Sequence, residues 1–110
     1  PGLSASLMTF MAIVIAAPFF EEILFRGFIF EGLLRSKASW RGAIIITTLL
    51  WALLHVQYDL VGQMIIFGMG VLLGFARLYS GSVILPIILH IAFNGVQVML
   101  QVMLYGELSL

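Results

Sequence analysis

Apolar runs separated by short polar or glycine-rich breaks make up most of the chain. A helix that spans a bilayer needs about 17 to 25 predominantly apolar residues. The pattern therefore predicts an all-α fold, a transmembrane bundle of about four to five helices. The predicted segments cover residues 4–17, 18–35, 40–55, 60–79 and 83–104.

Prolines and small residues mark the ends and contacts of these segments. Pro18 either begins the second segment or kinks one continuous helix, because proline lacks a backbone N–H and fits the first turn of a helix. Ser39 is the predicted N-cap of the third segment. Gly70 and Gly74, four residues apart, predict a close helix–helix contact along the fourth segment.

The composition supports a bilayer rather than water as the solvent. Hydrophobic residues make up 63% of the 110 residues and charged residues only 9%, and the mean hydropathy is +1.19. Soluble domains contain about a quarter charged residues. The formal net charge is zero, so no basic surface indicates a nucleic-acid partner. Without cysteine, thiolate catalysis, disulfides and cysteine-ligated metals are excluded.

The first residues lack the basic region of a signal peptide. We predict one membrane-embedded domain over residues 1–110 that forms the core of a longer chain. By the positive-inside rule, the ends that carry most basic residues face the cytoplasm and the acidic ends lie opposite. The basic group is Arg35, Lys37, Arg41 and Arg77, and the acidic group is Asp59 and Glu107.

The second segment carries charges that a membrane span normally excludes. Each costs a few kcal/mol on insertion scales, so an intramembrane ionisable residue indicates a functional site and needs a partner. Glu22 and Arg26 are four residues apart and can pair on one helix face, which leaves the neighbouring Glu21 to face something else. The alternative is a purely structural ion cluster.

Two further segments contribute histidines. His55 follows Trp51 by four residues, so the two rings can pack on one face; alone, such a histidine is more often interfacial or capping. His90 and Asn94 share a face of the last segment and should point into the bundle. Their alternative role is a structural interhelical hydrogen bond.

Together these side chains match the requirements for activating a water molecule. A glutamate can act as general base, a histidine can share the water or bind a metal, and histidine with asparagine can donate to an oxyanion. No serine or threonine lies in a recognisable nucleophile elbow, so a covalent acyl-enzyme is not expected. The HExxH motif of zincins is absent.

Three short stretches, in this order, carry a family resemblance. EEILFRG begins at Glu21 and matches EExxxR, WALLH ends at His55 where the family has FxxxH, and HIAFN from His90 to Asn94 matches HxxxN. The chain thus resembles the CAAX prenyl endopeptidase and bacteriocin-processing (CPBP, or Abi) family of intramembrane proteases over about residues 18–100. Trp51 replaces the family phenylalanine.

The resemblance implies a multi-span helical catalytic core and a glutamate-dependent peptidase. In it, Glu21 activates water together with His55, while His90 and Asn94 stabilise the oxyanion. The supporting residues are Glu22, Arg26 and Trp51.

The resemblance leaves the cofactor open between a divalent metal such as zinc and none. The candidate metal ligands are Glu21, His55 and His90. The implied partners are the lipid bilayer and a peptide or protein substrate, with or without C-terminal prenylation, and the expected location is the bacterial plasma membrane. Eukaryotic relatives trim prenylated CAAX proteins, whereas bacterial relatives are linked to bacteriocin maturation or self-immunity.

Two other readings stay open. A non-catalytic family member would act in bacteriocin immunity or as a scaffold that binds a partner. A small transporter or proton channel would show a continuous polar path across the membrane. The segment boundaries put Glu21 and His55 roughly 20 Å from the basic loop but His90 only about 12 Å below the break at Ser82. We nevertheless predict that these three and Asn94 converge on one cavity.

Overall fold

The computed structural model describes residues 2–106, and within them the chain folds into four helices. The first, α1, covers residues 3–34 without a break. The others are α2 (Ser39–Leu53), α3 (Leu60–Ser80) and α4 (Ile84–Tyr105). α1, α3 and α4 are long and apolar enough to cross a membrane, whereas α2 is shorter. The predicted all-α multi-span bundle is confirmed.

Of the two alternatives for Pro18, the structure shows one continuous helix, because α1 runs through Pro18. The helix widens into π-helical turns at Ala12–Ala16 and again at Ile23–Ile29. In the first of these, the N–H of Ala17 donates to the carbonyl of Ala12, five residues back. A wider turn changes the backbone register at the proline and lets the helix continue.

The helices pack as two antiparallel pairs. On α3, a Cβ atom at Gly70 would lie 2.8 Å from Thr48 Cγ2, and one at Gly74 would lie 3.2 Å from Ile44 Cγ1. The predicted close contact is therefore confirmed, and its partner is α2. In the other pair, α1 runs along α4, so that Gly27 lies beside Val83 and Ile13 lies beside Asn94.

Two predicted helix ends differ from the structure. Ser39 does not cap α2; it is the first helical residue, with a φ of 59°, and no side chain makes a capping hydrogen bond there. Helix α2 also ends at Leu53 rather than at His55. By contrast, the carboxylate of Asp59 caps α3 by accepting a hydrogen bond from the N–H of Gly62 at 2.8 Å.

Burial is inverted relative to a soluble protein. Phe28 is 77% exposed, whereas Glu22 and Arg26 on the same helix are fully buried. An apolar exterior around a polar interior is favourable when lipid, not water, surrounds the bundle. With three helices of spanning length, the chain is an integral membrane protein.

The two ends of the bundle carry different side chains. At one end Glu31 accepts hydrogen bonds from Arg77 at 2.7 Å and from Arg35 at 2.9 Å, so these predicted basic residues do lie together. Asp59 lies at the opposite end of α3 from Arg77. Glu107 lies outside the described residues, and the cytoplasmic placement of the basic end stays a prediction.

Candidate active site

Glu22 is the buried centre of the polar cluster. Its Oε2 accepts a hydrogen bond from Nη1 of Arg26 at 3.0 Å, so the predicted i,i+4 ion pair is present. The same oxygen lies 2.9 Å from Nδ1 of His90 on α4. Because a carboxylate accepts, this bond places the Nδ1 proton on His90. Glu22 thus joins α1 to α4 inside the bundle.

Arg26 extends the cluster toward α2 and α3. Its Nη2 donates to the carbonyl of Gly70 at 3.1 Å, and its guanidinium lies 4.8 Å from the centroid of the Trp51 ring. A Cβ at Gly70 would approach Nη2 to 3.3 Å, so glycine leaves room for this contact. A buried cation needs such partners because burial removes its hydration.

Glu21 has a different environment from its neighbour. About a third of its side chain is exposed, 33% against 0% for Glu22. Its Oε2 accepts a hydrogen bond from the indole N–H of Trp51 at 3.0 Å and lies 3.8 Å from Nε2 of His90. This orientation leaves Glu21 held at one oxygen and accessible from the cavity described below.

Trp51 has a role that the sequence interpretation missed. It was expected only to pack in place of the family phenylalanine, but its N–H orients Glu21. Its ring also contacts both histidines, at centroid distances of 4.9 Å to His55 and 5.4 Å to His90. The substitution itself was the available signal, because an indole has a donor that a phenyl ring lacks.

His55 lies in the turn after α2, where two hydrogen bonds hold it. Its Nδ1 lies 2.8 Å from the carbonyl oxygen of Trp51, and a carbonyl only accepts, so Nδ1 carries the proton. The side-chain amide of Gln63 on α3 donates to the His55 carbonyl. In the neutral ring, Nε2 is therefore left as a free acceptor that can take a proton from water.

Asn94 donates from Nδ2 to the backbone carbonyl of Ile13 at 3.1 Å. One N–H of the amide is thus used for a contact with α1, and the other N–H and the oxygen remain. The sequence predicted that Asn94 points inward, which it does, but the backbone contact was not predicted.

The four predicted catalytic side chains line one cavity of about 660 Å³ between the helices: Glu21, His55, His90 and Asn94. The different distances from the loops, which the segment boundaries indicated, do not separate these residues. Gly27 lies level with Val83, so α1 continues seven residues, about 10 Å, beyond the α3–α4 turn. The two loops therefore lie at different heights, and Glu21 meets His90 although their distances from the loops differ.

Among residues 2–106, no group of three or more His, Cys, Asp or Glu side chains is placed to hold a metal ion. Nε2 of His90 faces Glu21 and Nδ1 faces Glu22, so its contacts are explained by carboxylates. The geometry therefore offers general-base chemistry and hydrogen-bond donors.

Comparisons with known proteins agree with the resemblance. A curated Escherichia coli protein, described as an uncharacterized 24.3 kDa protein, is 40% identical over 88 residues, or 76% of this chain and 40% of that relative. The chain thus spans less than half of that relative's length. No solved structure matches this chain. A family model described as type II CAAX prenyl endopeptidase Rce1-like matches residues 3–96. The chain belongs to this family of membrane proteases.

Proposed function

We propose that the chain is the catalytic core of an intramembrane endopeptidase in which Glu21 is the general base. The observation that carries the proposal is the cavity shared by Glu21, His55, His90 and Asn94, with the Glu22–Arg26 pair behind it. A general base must be accessible to water. Glu21 is accessible because its side chain is partly exposed, whereas Glu22 is fully buried.

The reaction follows from the donors and acceptors around the cavity. Water in the cavity gives a proton to Glu21, with Nε2 of His55 as a second acceptor, and its oxygen bonds to the peptide carbonyl carbon. The oxyanion accepts hydrogen bonds from an N–H of His90 and from the second N–H of Asn94. Collapse breaks the C–N bond, and the proton held by Glu21 passes to the leaving amine.

The substrate is a peptide or protein reached within the bilayer of the bacterial plasma membrane. The family membership supports a peptide substrate, and the Escherichia coli relative supports the bacterial location. Exposed side chains that line the cavity include Tyr58, Gln97 and Tyr105. Whether the peptide carries a prenyl group is part of the test.

The polar cluster gives little support to a proton channel. Ionic contacts run from Glu21 through His90, Glu22 and Arg26 to Arg77, with a backbone carbonyl between the two arginines. An arginine does not lose its proton in a protein. Two arginines in series therefore interrupt proton transfer toward the basic end.

Cleavage of a peptide panel, prenylated and not, tests the proposal. Purified protein is compared with Glu21→Ala and His90→Ala, each with and without chelator, and with Gln57→Ala, an exposed glutamine outside the cavity, as the control. We expect loss of cleavage in the first two variants, retention in the control, and no effect of chelator.

Two results would contradict the proposal. Unchanged biological activity in both Glu21→Ala and His90→Ala would favour the non-catalytic role in immunity or partner binding. Loss of cleavage with chelator, restored by added zinc, would show that a metal completes the site.

A further inference from the structure

The carbonyl of Ile13 is left without a donor from its own helix. In an α-helix it would accept from residue 17, but the N–H of Ala17 donates to Ala12. In a π-helical turn it would accept from residue 18, which is proline and has no N–H. The donor comes instead from another helix, as Nδ2 of Asn94, 3.1 Å away.

Pro18 makes the backbone register depend on this outside donor. If Ala12–Ala16 formed an ordinary α-helix (the α register), proline would leave the carbonyl of Val14 without a donor. In the observed π-helical arrangement of Ala12–Ala16 (the wide register), proline leaves the carbonyl of Ile13 without one. A carbonyl without a partner is costly away from water, and in this structure Asn94 donates to the carbonyl of Ile13. The amide therefore stabilises the wide register relative to the ordinary one.

The register decides which side chain enters the cavity. A wide turn holds one more residue than an α-helical turn, and each residue turns an α-helix by about 100°. If Ala12–Ala16 closed to an α-helix while its start stayed in place, each later residue would move to its successor's position. Phe20, now 68% exposed on the outer surface, would replace Glu21, and Glu21 would replace Glu22.

We propose that Asn94 is a positioning residue that, together with Pro18, holds α1 in the wide register that places Glu21 in the cavity. This role is additional to any contact with substrate. Its consequence for catalysis rests on the proposed function, but the register itself can be measured without substrate. The second wide segment also receives an interhelical donor, since Nε of Arg77 lies 2.9 Å from the carbonyl of Arg26.

Engineered cysteine pairs report the register, because the chain has no native cysteine. A downstream pair, Gly27→Cys with Val83→Cys, joins α1 to α4 beyond Pro18. An upstream pair, Val14→Cys with Gly95→Cys, joins the same helices before it. In the native register, a Cβ at Gly27 lies 3.9 Å from Val83 Cγ2 and one at Gly95 lies 3.6 Å from Val14 Cγ1, so both pairs should form disulfides.

Each pair is placed in the full protein in membranes, and oxidative cross-linking is followed with Asn94→Ala, with Pro18→Ala and with Gln97→Ala. We expect the first two to slow the downstream cross-link about fivefold, the factor for roughly 1 kcal/mol, while the upstream cross-link is kept. Pro18→Ala acts because its restored N–H completes the α register. Gln97→Ala, an amide removed from the same cavity, should change neither pair.

The outcomes separate the two roles of Asn94. An unchanged downstream cross-link in Asn94→Ala overturns the inference, and lost cleavage in that variant would then assign Asn94 to the oxyanion alone. If Asn94→Ala loses both cross-links, α1 has detached, and Pro18→Ala decides: loss of the downstream cross-link alone supports the register role, and any other result overturns it. Failure of the native protein to cleave peptides bears only on the proposed function.

Discussion

Glu21 and Glu22 are adjacent in sequence, but their environments differ in the number of partners and in access from the cavity. Glu22 is fully buried, with Arg26 and His90 both on one carboxylate oxygen. Glu21 is partly exposed and is held by one indole N–H. Two side chains about 100° apart on one helix therefore have different environments: Glu22 joins α1 to α4, and Glu21 is the proposed general base.

This difference predicts that the largest effect on activity comes from Glu21→Gln. The amide keeps the size of the side chain and can still accept from Trp51, but it cannot take a proton from water. Loss of a general base lowers rates by about 10²- to 10⁴-fold. The measurement is the cleavage rate beside the midpoint of thermal unfolding, which should move little; a variant that cleaves normally would exclude Glu21 as the base.

Glu22→Gln should have the opposite signature. It leaves Arg26 buried without its ionic partner, and breaking a buried pair in this way costs about 3 to 5 kcal/mol. Denaturant unfolding in detergent micelles would show this loss of stability. The comparison is Glu31→Gln, which should cost less because Glu31 is 38% exposed where it pairs with Arg77, and an equally small change in both variants would contradict the structural role of Glu22.

Trp51→Phe tests how strongly Glu21 is oriented. The phenyl ring keeps packing against the histidines but removes the N–H that donates to Glu21. A hydrogen bond to a charged group contributes about 1.5 to 3 kcal/mol, so we expect a clear fall in kcat with little change in KM. Trp40→Phe, the other tryptophan, serves as the control, and equal activity of both variants would show that the indole bond is dispensable.

The smallest effect is expected from Arg35→Ala. Its side chain is 78% exposed where it pairs with Glu31, and exposed pairs contribute less than about 1 kcal/mol because water screens them. Arg77→Ala should destabilise more, since Arg77 is largely buried and also donates to the Arg26 carbonyl. Urea unfolding of the two variants, side by side, would reveal any reversal of this order.

The site could be predicted in part from the sequence because its side chains are unusual for a membrane span. Charged and imidazole groups are costly in lipid, so Glu22, Arg26 and His90 were expected to face the interior. The i,i+4 spacing of Glu22 and Arg26 also fixed a local pair, which needs only the geometry of one helix. Contacts between helices were harder to predict, and the donor role of Trp51 was missed for that reason.

The sequence by itself determined the membrane as solvent, the all-α class and the buried ion pair, because each follows from local hydropathy or helix spacing. The candidate catalytic residues came from the resemblance of three motifs to a family, and their roles stay a proposal. The tertiary structure decided that α1 continues through Pro18, that the indole of Trp51 donates to Glu21, and how far the helices extend past one another. These features depend on contacts between helices, and no local sequence pattern specifies those contacts. Asn94 illustrates the point, since its partner Ile13 is 81 residues away in the chain.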